Sequence, residues 1–383
     1  MSSDRPRWLS LPELRARRSY KWRAYPADVL PTFVAEMDVT LAEPVTRVLQ
    51  EALAAGDTGY ATPDPELAAA VASFHLARFG WQLEPAGVRL IPDVMTGVTE
   101  VLRSAIPPGS GVVVNTPVYP PFFAHIGSAG CRVVEAPLAR SGAGYALDLD
   151  ALEAAFAAGA SAYLLCNPHN PTGLVLTVVE LRRVAELAER FQVLVLADEI
   201  HAPLTLVGSR HVPYLSLPEA HAHGIAFVSA SKGWNVPGLK CAQLVTAAAP
   251  MRDLAARLPE ELGYGAGNLG VIASIAAYRD GGPWLDDLLV LIDRNRRLLA
   301  DLLADRLPTV GYVPPRGTYL AWLDCSELGL PEEPARVFLE RGRVALRPGP
   351  DVGTLGRGWV RATIATAPEI LTEIVERMRA AVG

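Results

Sequence analysis

The sequence predicts an α/β fold: a large domain with a mainly parallel sheet, and a smaller α+β domain beside it. Two observations carry this. Through the middle of the 383-residue chain, short apolar runs alternate with alanine- and leucine-rich periodic segments. Such strand–helix–strand alternation implies a mostly parallel sheet covered by helices on both faces. Beyond residue 283 the texture changes to one long helical run, a strand-rich stretch and a final helix.

The elements follow in order. Val112–Asn115, Ala162–Cys166, Val193–Ala197 and Ala226–Ser229 read as buried strands, apolar and bounded by turn or cap residues. Between them Asp150–Ala157 and Thr177–Phe191 read as helices. The second opens with Thr177 and has Glu180 three residues on, a capping-box pattern. Trp284–Arg306 reads as a long helix. Thr318–Leu323, Val344–Leu346 and Gly358–Ile364 read as strands, and an amphipathic helix follows from Ala367. The expected division is a large domain over 46–283 and a small one built from both chain ends, 1–45 and 284–383. The amino-terminal part is too short and irregular to fold alone.

Composition narrows the function. Half of the residues are hydrophobic and a fifth charged, which fits a globular protein and not a disordered one. A net charge of −6 leaves no electrostatic footprint for nucleic acid or an anionic membrane. The short basic stretch Arg15–Arg18 reads as a solvated helix face, and there is no helix-turn-helix or basic extension. No apolar run approaches bilayer length. The start, Met1-Ser2-Ser3-Asp4-Arg5-Pro6-Arg7, has no apolar leader core. Cys131, Cys166, Cys241 and Cys325 are far apart with no C-x-x-C pair, so they read as free thiols and not as a disulfide or metal framework. A cytoplasmic location is expected, with no metal.

Reactive side chains fall just past predicted strands, where open α/β sheets bind ligands. Lys232 sits in Ser229-Ala230-Ser231-Lys232-Gly233-Trp234-Asn235. Burial there lowers an ammonium pKa toward the nucleophilic amine. Ser229, Ser231 and the nearby Lys240 suit a phosphate. The segment reads equally as a loop lysine with serines capping the next helix. Asp198 ends an apolar run and needs a partner, because an unpaired buried charge is costly. A protonated ring nitrogen is one such partner; a helix N-cap role is the other reading. Cys166-Asn167-Pro168-His169-Asn170-Pro171-Thr172-Gly173 is a rigid turn that aims an asparagine, or else a structural loop.

Taken together these pieces carry a resemblance. Asn-Pro-x-Asn-Pro-Thr-Gly, then Asp-Glu about 28 residues later, then Ser-x-Ser-Lys about 30 beyond, resembles the aspartate-aminotransferase-like pyridoxal-phosphate enzymes of fold type I. Within that group the chain is most similar to the cystathionine β-lyase-like C–S lyases. The similarity rests on Lys21-Trp22, Tyr25–Pro31, Ala35–Asp38, Gly59-Tyr60, Thr116–Phe122, Asp198–His201, Gly238–Ala242, Gly317–Trp322 and Arg361. It covers nearly the whole chain.

The resemblance implies roles. Lys232 holds pyridoxal 5'-phosphate as a Schiff base and then shuttles the α-proton. Asp198 pairs with the ring nitrogen, Asn170 bonds the ring hydroxyl oxygen with His201 close by, and Tyr119 stacks on the ring. Ser229, Ser231, Lys240 and the backbone amides of Val94 and Met95 hold the phosphate. Tyr60 reaches the phosphate of a neighbouring subunit, which implies a homodimer with shared active sites. Arg361 binds the substrate carboxylate. Two departures stand out. Asp93 takes a position where many relatives have glycine, unfavourable near phosphate unless it points away. Trp234 stands where several relatives have phenylalanine, which should alter pocket shape. Pocket selectivity is expected from loops near Asp38, Tyr60, Trp234 and Tyr264.

The implied reaction is β-elimination from an S-substituted cysteine, cystathionine or another cysteine S-conjugate, to a thiol, pyruvate and ammonia. Three alternatives stay open: an aminotransferase on the same fold, a specialised decarboxylation-linked oxidative deamination, and a regulatory protein built on that fold. The sequence shows no motif for a second, dicarboxylate-binding arginine, which weakens an aspartate-type transaminase.

Overall fold

The computed structural model describes residues 5–142 and 144–383. Met1–Asp4, the start of the stretch read above as lacking a leader core, lie outside the described residues.

Seven strands build the central sheet: β1 (Val88–Ile91), β2 (Gly111–Val114), β3 (Arg132–Glu135), β4 (Ala160–Cys166), β5 (Leu194–Asp198), β6 (Gly224–Val228) and β7 (Ala242–Val245). Their order is β1-β7-β6-β5-β4-β2-β3. Only β7 runs against its neighbours; the remaining neighbouring pairs are parallel. Successive side chains in a strand leave opposite faces. Accordingly Val113, Tyr163, Leu165, Val195 and Ala197 enter one apolar cluster, while Val112, Val114, Leu164, Cys166 and Leu196 enter the other. Burial on both faces explains why these strands read as unbroken apolar runs.

Register levels the strand ends. Cys166 lies opposite Asp198, and Asp198 opposite Phe227. The residues that follow β4, β5 and β6 therefore meet at one edge. The helix Val178–Phe191, which shares an apolar cluster with β4 and β5, starts where the sequence predicts. The Thr177 hydroxyl accepts the Glu180 N–H, and the Glu180 carboxylate accepts the Thr177 N–H at 2.7 Å. Such a cap contributes about 1 kcal/mol.

A second, antiparallel sheet has the order β8-β9-β11-β10, from β8 (Gly311–Tyr312), β9 (Leu320–Asp324), β10 (Arg347–Pro348) and β11 (Trp359–Thr363). The helices Gly282–Arg306 and Pro368–Val382 pack on each other beside it. The expected strand Val344–Leu346 splits in two. Val344–Ala345 pairs in parallel with Leu30–Pro31, and the chain then crosses at Leu346 into β10. Thr32 continues this join, because its hydroxyl accepts the Thr363 N–H and donates to the Thr363 carbonyl.

Cys166, Cys241 and Cys325 are buried, Cys131 is half-buried, and all four are free thiols. Among the described residues no helix is long and apolar enough to cross a membrane, and no group of His, Cys, Asp and Glu is arranged to hold a metal.

Candidate active site

The carboxyl ends of β4, β5 and β6 open onto a cavity of about 430 Å³. Tyr119, Asn170, Asp198, His201, Ser231, Lys232 and Lys240 line it, together with Val94 and Met95 at the start of the helix Val94–Ala105. These residues span more than 140 positions of sequence and come together because the parallel register sets three strand ends level.

The chain has three lysines, and among the described residues two of them have a carboxylate partner. Lys21 is buried against Asp38 at 2.7 Å, and Lys240 pairs with Asp93 at 3.1 Å. Lys232 Nζ donates to the Ala35 carbonyl at 2.9 Å. Burial, aided by the Arg361 charge, pulls its ammonium down to about 8; Asp198 and Glu36 pull the other way. The amine is thus accessible near neutral pH.

Asp198 is buried, and one oxygen accepts the Ile200 N–H at 3.1 Å. Burial raises its carboxyl to about 7, against the lowering pull of that bond and of Lys232. A carboxylate raised by burial is a site for a cationic partner. It caps no α-helix; a short 3-10 turn at Ala202–Leu204 follows. His201 is buried with Nδ1 unpartnered, and its ring lies edge-on to Tyr319. Burial, and then the Lys232 and Arg361 charges, hold it well below its ordinary value, so the ring is neutral.

Arg361 lies on β11 behind the cavity wall. Its Nη1 donates to Asn170 Oδ1 at 3.1 Å and its Nη2 to the Phe33 carbonyl at 2.8 Å, while Nε has no partner. Among the described residues no carboxylate forms an ion pair with it. Burial, and next Arg347, lowers it to about 10, which leaves it charged at neutral pH. A planar fork of this kind is suited to a carboxylate.

At the far end stands the helix Val94–Ala105. The first N–H groups of an α-helix lack intrahelical partners and attract anions. Asp93 does not point away, as a phosphate there would require of an unpaired carboxylate. It lies on the wall, caps the helix by accepting the Thr96 N–H at 2.9 Å, and pairs with Lys240. Burial alone would raise it, but the Thr96 N–H and Lys240 together hold it below the usual range.

Two expectations are corrected by placement, those for Ser229 and Trp234. Ser229 does not line the cavity: its hydroxyl donates to the Cys241 carbonyl at 2.7 Å and accepts the Ser231 N–H, capping the short helix Ala230–Gly233. Trp234 does not shape the pocket either. It is fully buried, packs against Phe74 and Tyr278, and donates to the Gly281 carbonyl. Asp38 is spent on Lys21 and Trp22. Tyr60 is 86% exposed and away from the cavity of its own chain.

The sequence pointed to the loop near Asp38 but not to the backbone of the strap 33–37. Its carbonyls are taken by site side chains: Phe33 by Arg361, Val34 by Thr363, Ala35 by both Lys232 and Tyr319, and Met37 by Asn235. Backbone acceptors leave no signature in residue type. His125, which lines the cavity and meets the Thr99 hydroxyl at 2.9 Å, was also missed. Overall the arrangement suits a planar ligand with a basic ring nitrogen at Asp198, an electrophile at Lys232 and an anionic group at the helix end.

A family model described as aminotransferase class I and II matches residues 35–378. A Mycobacterium tuberculosis protein bearing the name "Putative cystathionine beta-lyase" is 49% identical over 97% of this chain and 96% of its own length. Cystathionine beta-lyase PatB of Bacillus subtilis is 34% identical over 93% of each chain. Cystalysin from Treponema denticola, whose crystal structure contains pyridoxal 5'-phosphate, superimposes with a TM-score of 0.89 at 26% identity over 96% of each chain. The chain belongs to the class I and II aminotransferase family.

Proposed function

We propose that this family member is a pyridoxal-phosphate-dependent C–S β-lyase, which cleaves an S-substituted cysteine to a thiol, pyruvate and ammonia. The observation that carries the reading is that Lys232, which among the described residues has no carboxylate ion-pair partner, and the buried Asp198 line one cavity. The names of the relatives support the same chemistry.

The residues present fit the cofactor. Asp198 would meet its ring nitrogen, Asn170 its hydroxyl oxygen with the neutral His201 close by, and Tyr119 its ring face. Ser231, Lys240 and the Val94 and Met95 amides would hold its phosphate. When bound, pyridoxal phosphate supplies an electron sink that stabilises negative charge at the substrate α-carbon.

The chain's own groups do the rest. Arg361 binds the α-carboxylate through its fork, exchanging its Asn170 and Phe33 acceptors. That orients the Cα–H bond toward Lys232. Nζ, tuned to about 8, takes the α-proton as general base. The electron pair left at Cα then expels the thiolate from the β-carbon. The strap 33–37 positions Nζ through the Ala35 carbonyl.

The same reading takes 46–283 as the cofactor-binding domain and joins 1–45 to 284–383; the pairing of Leu30–Pro31 with Val344–Ala345 supports it. It also takes the working form as a homodimer in which the exposed Tyr60 reaches the partner's phosphate site.

The test is the purified protein with cystathionine and no added 2-oxo acid. Thiol and pyruvate should appear together. Amino transfer to an added 2-oxo acid, with no thiol released, would replace the lyase by the aminotransferase.

A further inference from the structure

The lyase reading leaves open what the enzyme recognises beyond the sulfur. The small sheet holds a second arginine that the sequence reading passed over. Arg347 on β10 is the cross-strand partner of Arg361 on β11. Directly opposed residues project from the same face of an antiparallel pair, and like charges placed so are destabilising. The chain keeps two guanidinium groups there. Arg347 is only half-buried, and its Nε is buried with no hydrogen-bond partner. Its Nη1 meets Asp351 at 3.1 Å.

This pair stands beside the site. The turn that carries Asp351 is pinned to the segment bearing Tyr119, because the Val118 N–H donates to the Val352 carbonyl at 2.7 Å. Gly353 fits closely there too, since a Cβ on it would come within 2.6 Å of the Thr116 side chain. After burial, Arg347 is the charge that Arg361 feels most, and Asp351 and Arg347 reach Arg361 and Tyr119 respectively. Outward from Asp351, past Pro350, Phe123 and Gly353, an open hollow of about 740 Å³ leads to solvent.

We infer that Arg347 and Asp351 form a specificity-determining pair, which receives the far end of an S-substituent that itself ends in an amino acid. The carboxylate of that end meets Arg347 and its ammonium meets Asp351. A cation and an anion side by side, only half-buried, match a zwitterion better than a single charge. A partly exposed pair of this kind contributes little to stability, so it is available for exchange with a ligand. The inference rests on the lyase reading and adds the substrate class to it.

The test compares kcat/KM of the cofactor-loaded protein for cystathionine, whose far end is a zwitterion, and for S-ethylcysteine, whose far end is uncharged. Wild type should favour cystathionine. Arg347→Gln should cut the cystathionine-to-S-ethylcysteine ratio by about tenfold to hundredfold, chiefly through KM for cystathionine, as loss of a charge-assisted contact predicts. Asp351→Asn should reduce the ratio by a smaller factor. If Arg347→Gln loses its cofactor absorbance, Arg347→Lys takes its place and should reduce the ratio while keeping the charge. A ratio unchanged within about twofold in these variants, or an equal fall for both substrates, overturns the pair. A wild-type protein that releases thiol from neither substrate refutes the lyase reading itself.

Discussion

Asp198→Asn should stabilise the cofactor-free protein while weakening its hold on the cofactor. Burial raises the Asp198 carboxyl from an ordinary 3.8 to about 7. Ionisation in the cofactor-free fold therefore costs about 4 kcal/mol. The sign follows from linkage. A carboxyl with a raised folded pKa favours the fold at low pH, and that advantage is lost as pH rises from 3.8 through about 7. Above pH 7 the wild type carries the full cost, and asparagine, nearly the same shape, carries none. The asparagine oxygen can still accept the Ile200 N–H. With an unfolding entropy of about 2 cal/mol/K per residue, the cost corresponds to about 5 °C in Tm for a chain of this length. The assay is thermal unfolding of the cofactor-stripped proteins at several pH values. Asp198→Asn should melt higher at pH 8, by less at pH 5.5, and no higher near pH 4. Cofactor titration of the same samples should show weaker binding for the variant. A variant that melts no higher than wild type at pH 8, or a gap that widens as pH falls, would refute the reasoning.

Other outcomes follow from the same geometry. Lys232→Ala should lower turnover by about a thousandfold or more, measured as pyruvate release under cofactor excess. Cofactor capture by the stripped protein should speed up as pH rises and level off above about 8, because the free amine of Lys232 is the reacting form; a rate flat from pH 6 to 9 in stopped-flow absorbance contradicts this. Thr177→Ala should cost about 1 kcal/mol in denaturant unfolding and leave substrate affinity alone, since the cap lies on the outer helix. Tyr60→Phe should weaken cofactor retention in a dimer seen by light scattering; full retention, or a monomer, would remove the shared-site proposal.

Much of the fold was legible because its central strands are buried on both faces, and such strands read as unbroken apolar runs. The cap at Thr177 was legible because it is local. The strands β1 and β7 were not read: Arg89 and Gln243 interrupt their apolar runs, and their pairing is antiparallel and distant in sequence. Lys232, Asp198 and Asn170 were legible as polar residues just past strand ends. The strap 33–37 was not, because carbonyl acceptors depend on path and not on side chain. Ser229 and Trp234 were misplaced for a common reason. Neighbours on a short turn leave it in different directions, so Ser231 and Lys232 face the cavity while Ser229 and Trp234 face the core. Arg347 was passed over because its meaning lies in a cross-strand register that sequence distance hides.

The most direct test reduces the loaded protein with borohydride and maps the modified peptide by mass spectrometry. Reduction fixes the cofactor to whichever amine carries it. The account predicts one modified lysine, Lys232, with Lys21 and Lys240 bare because each is engaged in an ion pair, with Asp38 and Asp93. Label on Lys21 or Lys240, or no label in a protein that absorbs in the visible, would contradict it.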